Sequence, residues 1–132
     1  MLPESQRAEA LRIYRCQKPD IHLYPGVAEM LKRLKVTKKL GIITDGRPEG
    51  QNAKLDALGL RELVDEIIIT DELGGVQYRK PNPAAFELMQ QRMGVPFERM
   101  CYVGDNLKKD FVAPEMLGMV AVHFLNEEGL YR

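Results

Sequence analysis

Apolar residues in this chain of 132 residues form four short runs, separated by segments in which apolar positions recur every three or four residues. The runs are too brief for helices and are bounded by glycine or polar residues, so each predicts a buried strand. The recurring segments predict amphipathic helices. The predicted strands cover residues 40–44, 66–70, 100–103 and 119–124, and the predicted helices cover residues 3–17, 27–34, 48–59, 83–93 and 111–117.

The alternation of strands and helices predicts an α/β fold, with a parallel, Rossmann-like sheet in a three-layer sandwich. Short connections and the lack of internal repeats indicate a single domain over residues 1–132. In such folds, ligands bind beyond the carboxyl ends of the strands, near the point where the strand order reverses. Polar residues that directly follow a predicted strand are therefore the first candidates for a functional site.

Composition narrows the function classes. Lys plus Arg and Asp plus Glu each number 19, so no net charge favours a nucleic acid or an anionic membrane. No apolar run reaches membrane-spanning length and no secretory leader is recognisable, so we expect a cytoplasmic protein. The two cysteines, Cys16 and Cys101, are too few for a disulfide framework and are predicted to be buried thiols.

Thr44, Asp45 and Gly46 come at the end of the first predicted strand. The Thr44 hydroxyl and the amides of Asp45 and Gly46 are donors that suit phosphate oxygens, and glycine permits the close approach that a phosphate cradle needs. A plain turn is the alternative, because Thr-Asp-Gly is common in turns. Arg47 and, further along the chain, Asn106 are candidates for the rim of the site.

Lys80 lies between Arg79 and Pro81, on a connection that enters a predicted helix. A lysine fixed by a following proline is a suitable point charge for a phosphoryl group, and a solvated loop lysine is the alternative. Arg79 is expected at the surface or at the rim of the site. Lys108 and Lys109 are expected to be solvated.

Asp105 and Asp110 form an acidic pair after the third predicted strand. Asp105 follows an apolar run and Gly104, where a carboxylate has little structural purpose. Mg²⁺ usually takes one or two carboxylates together with substrate phosphate and water, so both aspartates are candidate metal ligands. For Asp110, capping of the next helix and a hydrogen bond to Lys80 are preferred over direct metal ligation.

The order of these motifs resembles the haloacid dehalogenase-like superfamily, in particular its Mg²⁺-dependent phosphatases. In that family a Thr or Ser ends a strand, a lysine precedes a helix, and Gly-Asp is followed by a further Asp. Thr44, Lys80, and Asp105 with Asp110 match these motifs in this order. The resemblance implies a phosphatase of small phosphorylated metabolites, with Lys80 and Asp105 as catalytic residues and Mg²⁺ as cofactor.

The family's first motif, Asp-x-Asp-x-Thr at the end of the first strand, has no match in this sequence. In the family its first Asp attacks phosphorus, and its second Asp serves as acid and then as base. The resemblance therefore implies a truncated core over residues 24–132, preceded by a remnant of a cap helix and linker over residues 1–23. It also implies negligible activity of the chain alone. A non-catalytic ligand-binding or protein-interaction module is the alternative function.

In the family the missing strand is central, between the strands predicted at residues 40–44 and 100–103. Without it these two strands would lie about 10 Å apart, twice the usual spacing, with unpaired backbone groups between them. We expect one of three outcomes: the two strands close up, another chain pairs with them, or an amino-terminal segment fills the slot. Pairing through an exposed edge would make the protein a homodimer.

Overall fold

The structure is a computed structural model and describes residues 21–124. The helix predicted over residues 3–17, which includes Cys16, lies outside this range. No helix of the described part has both the length and the apolar content needed to cross a membrane. The helices and strands of residues 21–124 are α1 (Val27–Thr37), β1 (Gly41–Thr44), α2 (Pro48–Leu58), β2 (Glu66–Ile69), α3 (Ala84–Met93), β3 (Cys101–Gly104), α4 (Val112–Leu117) and β4 (Val120–His123).

Proline and glycine residues set the helix ends. Pro48 occupies the first turn of α2, where its missing N–H leaves no helical bond unmade. Gly59 and Gly94 end α2 and α3 with φ of 67°, a left-handed conformation that glycine adopts without strain. Each observed strand agrees with its predicted range to within one residue at either end. Thr70 begins a 3₁₀ turn instead of ending β2.

The strands form two separate parallel pairs. β1 pairs with β2 in the register Gly41 to Glu66, and β3 pairs with β4 in the register Cys101 to Val120. Within residues 21–124 no backbone pairing joins β1 to β3. The expectation that these two strands close up is therefore wrong. Pairing with another chain or with an amino-terminal segment stays a prediction.

Helix α3 joins the two pairs through side chains. Phe86 is fully buried, and its ring centroid lies 4.9 Å from that of Tyr102 of β3 in an edge-to-face contact. Ile68 of β2 belongs to the same buried cluster. Side-chain packing therefore connects the two strand pairs where backbone hydrogen bonds do not. The buried members of the cluster are Ile68, Ala85, Phe86, Met89, Met93, Met100, Ala113 and Met119.

The two strand pairs are covered unequally. Successive residues of a strand point to opposite faces, so burial along a strand reports which faces are covered. In β2 both Ile68 and Ile69 are buried, at 3% and 5% exposed, so other residues cover both faces. In β3 Tyr102 packs on Phe86, whereas Val103 on the opposite face is 51% exposed.

Cys101 shares the open face of β3 with Val103 and is an exposed free thiol. The prediction that Cys101 is buried is wrong, because an apolar run signals a strand but not which of its faces another element covers. Val120 and Val122 of β4 lie opposite these residues in register and are 55% and 45% exposed. Within the described residues, the second pair has an apolar face without cover.

Candidate functional site

The candidate site lies at the carboxyl ends of β1 and β3, where side chains from three connections meet. Asp45 follows β1, Lys80 precedes α3, and Asp105 and Asp110 lie between β3 and α4. Polar contacts link Asp45 to the Lys80 backbone and the Lys80 ammonium to Asp110. The fold thus brings the three predicted motifs to one edge of the molecule.

The carboxylate of Asp45 points towards the neighbouring connections, and the side chain is only 8% exposed. Its Oδ1 accepts hydrogen bonds from the Thr70 hydroxyl, at 2.8 Å, and from the Lys80 backbone N–H, at 3.1 Å. Its Oδ2 lies 3.2 Å from Lys109 Nζ. The Lys109 side chain is 41% exposed, so it is partly solvated as expected, but it also forms an ion pair because the fold brings a buried carboxylate within its reach.

The Lys80 ammonium group is nearly enclosed, with 9% of its side chain exposed. Its Nζ lies 3.0 Å from Asp110 Oδ1 and donates a hydrogen bond to the Tyr102 hydroxyl at 2.8 Å. Burial alone would lower the pKa of Lys80, but the contacts with Tyr102 and Asp110 outweigh it and hold this pKa above its ordinary value. Burial raises the pKa of Tyr102, so the phenol is neutral at pH 7 and Asp110 balances the lysine charge.

Asp110 holds the connection after β3 in place. Its Oδ2 accepts the backbone N–H groups of Asp105, at 3.1 Å, and Asn106, at 2.9 Å. The carboxylate packs so closely on Gly104 that a Cβ added there would lie 2.6 Å from Oδ2. Burial alone would raise the pKa of Asp110, but the Asn106 N–H and the Lys80 ammonium outweigh it, and this pKa lies below its ordinary value.

These contacts correct one expectation for Asp110. Helix α4 begins at Val112 and its amino end carries no side-chain cap, so the prediction that Asp110 caps this helix is wrong. Both carboxylate oxygens of Asp110 turn back instead, one towards the amides of its own loop and the other towards Lys80. The predicted contact between Asp110 and Lys80 is present.

Asp105 differs from Asp110 because its carboxylate is free. The residue is exposed, and within residues 21–124 its side chain makes no hydrogen bond or ion pair. The same part of the chain contains no group of three or more His, Cys, Asp or Glu residues suited to hold a metal ion. Asp105 can therefore supply one carboxylate as a metal ligand. Metal binding by Asp105 and Asp110 stays a prediction.

The predicted phosphate donors after β1 have protein partners. The Thr44 hydroxyl donates to Gln51 Oε1 of α2 at 2.7 Å, so it must turn from Gln51 to reach a phosphate. Arg79 holds the Asp71 carboxylate through two hydrogen bonds of 2.7 and 2.8 Å, and the Gly46 N–H helps to lower the pKa of this carboxylate. The Arg79 hydrogen bonds keep the pKa of Asp71 below its ordinary value.

The two candidate rim residues flank this edge. Arg47 is exposed and directly precedes α2. Asn106 is exposed too, and its Oδ1 accepts the backbone N–H groups of Lys108 and Lys109 at 2.9 and 3.3 Å. Asn106 therefore shapes the loop that carries the acidic pair, and a rim role for either residue stays a prediction.

Three residues that contact the site are missed by the sequence reasoning. Tyr102 had a usable signal, because a tyrosine within an apolar strand needs a partner for its hydroxyl. Gln51 and Thr70 carried no such signal. Their roles depend on contacts with Thr44 and Asp45, 7 and 25 residues away in the chain, that only the folded structure forms.

A protein-family model described as haloacid dehalogenase-like hydrolase matches residues 4–118 of this chain. The chain therefore belongs to the haloacid dehalogenase-like hydrolases. The curated relatives include a glyceraldehyde 3-phosphate phosphatase of Methanocaldococcus jannaschii, 37% identical over 110 residues, which are 83% of this chain and 46% of that protein. The chain thus spans about half the length of the curated relatives it matches.

Two further comparisons agree with this family. The crystal structure of a HAD phosphatase from Thermococcus onnurineus superposes with a TM-score of 0.68 at 34% identity, covering 80% of this chain and 47% of that one. The magnesium-dependent phosphatase 1 of Homo sapiens is 29% identical over 111 residues, which are 81% of this chain and 57% of that protein. The family and the α/β fold inferred from the sequence are confirmed.

Proposed function

We propose that this chain forms the phosphate- and metal-binding side of a Mg²⁺-dependent phosphomonoesterase. The observation that carries the proposal is that Thr44, Lys80 and Asp105 converge at one edge of the molecule. Hydrogen bonds to Asp45 and Asp110, and the ion pair of Asp110 with Lys80, hold the connections that carry them. A buried lysine that is held charged beside the ends of two strands suits the dianion of a phosphate monoester. The names of the relatives, which include phosphatases, support this reaction class.

Lys80 is the principal phosphate-binding group in this proposal. Its ammonium has three N–H donors; it donates to the Tyr102 hydroxyl and forms an ion pair with Asp110. A donor remains for a phosphoryl oxygen, and Thr44 adds a hydroxyl once it turns from Gln51. Because the Lys80 ammonium is fixed before the substrate arrives, it stabilises negative charge that develops on the phosphoryl oxygens without reorganising.

Asp105 would hold the Mg²⁺ ion. Its exposed and unpaired carboxylate fits a cation that takes one or two carboxylates and completes its shell with water and substrate phosphate. Asp110 would act indirectly, because its oxygens already hold Lys80 and the loop amides. The bound metal would supply positive charge that neutralises the phosphoryl group.

The nucleophile would come from a strand that enters the space between β1 and β3. Each of these strands has only one partner among the described residues, so each offers one edge to a further parallel strand. The sequence contains no Asp-x-Asp pair. A second copy of this chain could therefore pair with the open strand edges, but it could not supply the nucleophilic aspartate. We therefore propose a complementing segment that carries Asp-x-Asp-x-Thr, with homodimer formation as the competing outcome.

We propose a small phosphorylated metabolite as the substrate. Names among the relatives, such as glyceraldehyde 3-phosphate phosphatase, belong to enzymes of this substrate class. The residues that would choose among such metabolites are not identified beyond the rim candidates Arg47 and Asn106.

Complementation tests the proposal directly. The purified chain with Mg²⁺ and p-nitrophenyl phosphate is expected to show no turnover above buffer. Turnover is expected after co-expression with a segment that carries Asp-x-Asp-x-Thr, and it should vanish when the first aspartate of that segment is replaced by asparagine. Lys80→Met in the complemented protein should also abolish it, because the buried positive charge is lost.

Other outcomes would decide against parts of this proposal. Substantial turnover by the chain alone would overturn the requirement for an external nucleophile. Binding of inorganic phosphate without turnover in any complemented form would favour the alternative, a non-catalytic ligand-binding module. Sedimentation of the chain as a stable dimer that the segment does not dissociate would favour self-pairing through the open edges.

A further inference from the structure

We propose that Asp45 is a positioning residue that fixes Lys80 and Lys109 around the candidate phosphate site. Its expected effect on phosphate affinity rests on the proposed function. The placement of the two lysines rests on the hydrogen bonds and the ion pair alone. This role belongs to the Asp45 carboxylate and is separate from the amide donor that the sequence predicts at the same residue.

The carboxylate of Asp45 connects four parts of the chain. Asp45 itself directly follows β1, and its Oδ1 accepts a hydrogen bond from the hydroxyl of Thr70, the residue directly after β2. The same oxygen accepts the N–H of Lys80 ahead of α3, while Oδ2 pairs with Lys109 ahead of α4. Because no backbone pairing joins β1 to β3 in residues 21–124, this carboxylate is a polar link between the two halves of the site.

The charge of Asp45 argues against a role in binding phosphate with its side chain. A carboxylate repels a phosphate dianion, and a side chain that is 8% exposed must have partners for its charge. Asp45 has three donors: Thr70 and Lys80 lie near the two ends of the connection between β2 and α3, and Lys109 lies in the connection between β3 and α4. The arrangement therefore serves to hold those segments and not to bind the anion.

Both the backbone and the side-chain ammonium group of Lys80 are consequently held in place. Asp45 fixes its backbone N–H, at 3.1 Å, and Asp110 with Tyr102 fixes its ammonium group. The position of a charged group in a site matters on the scale of about 1 Å, where misplacement is strongly felt in rate. Loss of the backbone anchor should therefore weaken the interaction with phosphate even though the lysine remains.

Three variants separate positioning from general stability. Asp45→Ala removes every acceptor, whereas Asp45→Asn keeps Oδ1 for Thr70 and Lys80 and removes the charge that attracts Lys109. Asp65→Ala is the matched control, because Asp65 Oδ2 also accepts a backbone N–H, that of Leu40, at 2.8 Å but at the amino end of β1. The measurements are the amide NMR shifts of Lys80 and Thr70, the affinity for inorganic phosphate, and the midpoint of urea unfolding.

Asp45→Ala is expected to shift the Lys80 amide resonance and to weaken phosphate binding by about tenfold, the equivalent of one hydrogen bond to a charged group. Asp45→Asn is expected to restore the Lys80 resonance and to bring the affinity within about threefold of the unaltered chain. Asp65→Ala is expected to lower the unfolding midpoint without changing the Lys80 amide or the phosphate affinity.

An unchanged Lys80 amide in Asp45→Ala would overturn the positioning role. Equal losses of affinity in Asp45→Ala and Asp45→Asn would overturn the positioning of Lys80, because the hydrogen bonds that Asp45→Asn keeps would then not be the cause. If the unaltered chain binds no phosphate at all, the proposed function fails, and the Lys80 amide shift still decides whether Asp45 positions the lysine.

Discussion

The β1–β2 pair and the β3–β4 pair have the same parallel geometry but opposite degrees of cover. Adjacent residues of β2, Ile68 and Ile69, are both buried, whereas Val103 of β3 and Val120 of β4 are about half exposed at 51% and 55%. Both pairs contribute to the candidate site, one through Asp45 and the other through the loop that begins after Gly104. The burial of a strand pair is therefore unrelated to whether it contributes residues to the candidate site.

Side-chain contacts join the β1–β2 pair and the β3–β4 pair, the two halves of the described structure. Two kinds of contact connect the β1–β2 half and the β3–β4 half in the described residues: apolar packing around Phe86 of α3, and polar contacts through Lys80 and the Asp45–Lys109 ion pair. Neither kind of contact is a backbone hydrogen bond between strands. Side chains hold the halves together at the face that packs on α3 and at the edge where the carboxyl ends of β1 and β3 lie. The candidate site lies at that edge, and its geometry depends on both kinds of contact.

The largest effect is expected from Phe86→Ala, which removes the largest fully buried side chain of the cluster that joins the two halves. Phe86 is fully buried, and its loss should lower the free energy of unfolding by about 3–5 kcal/mol. Urea unfolding monitored by circular dichroism measures this change. Leu107→Ala is the control, since Leu107 is 68% exposed and its truncation should change stability by about 0.5 kcal/mol or less. A similarly small effect of Phe86→Ala would show that the halves do not depend on this cluster.

A matched pair of threonine substitutions tests the unequal cover. Ile69→Thr should cost about 2–3 kcal/mol, because it removes buried carbon and places a hydroxyl where the side chain is 5% exposed. Val120→Thr keeps the β-branched shape on the open face and should change stability by about 0.5 kcal/mol or less. The same unfolding assay serves both variants. A large loss in Val120→Thr would mean that this face is covered in solution.

Hydrogen exchange should report the open edges of β1 and β3. Alternate N–H groups of each strand point away from its only partner in the described residues, so these amides are expected to exchange much faster than their neighbours. The contrast is measured by amide exchange in NMR. Addition of the segment with Asp-x-Asp-x-Thr should slow the fast amides. Uniform protection in the chain alone would show that the edges are already paired.

The smallest effect concerns pH and the Lys80–Asp110 ion pair. The pKa of Asp110 is lower in the folded protein than its ordinary value of 3.8, so its contribution to stability is present above that value and is lost as the pH falls through the folded pKa. Asp110→Asn should therefore be less stable than the unaltered chain at pH 7, and the gap should narrow below pH 3.8. Urea unfolding at several pH values tests this, and a constant gap would contradict it.

Much of the fold could be predicted from the sequence. The ranges of the strands follow from short apolar runs such as Gly41–Thr44, and the helix ends follow from Pro48, Gly59 and Gly94. These features are local, because strand and helix periodicity and the conformational limits of proline and glycine act within a few residues. The convergence of Thr44, Lys80 and Asp105 was also predictable, since parallel strands end at a common edge.

The partners of the polar groups were decided only by the tertiary structure. Asp45 contacts Thr70, Lys80 and Lys109, which lie 25, 35 and 64 residues away in the chain, and no local pattern encodes such contacts. The exposure of Cys101 has the same origin, because the cover of a strand face depends on elements elsewhere. The sequence alone was enough to predict which helices and strands form and to which family the chain belongs. The packing determined which carboxylate holds which lysine, because that depends on distances between segments that only folding brings together.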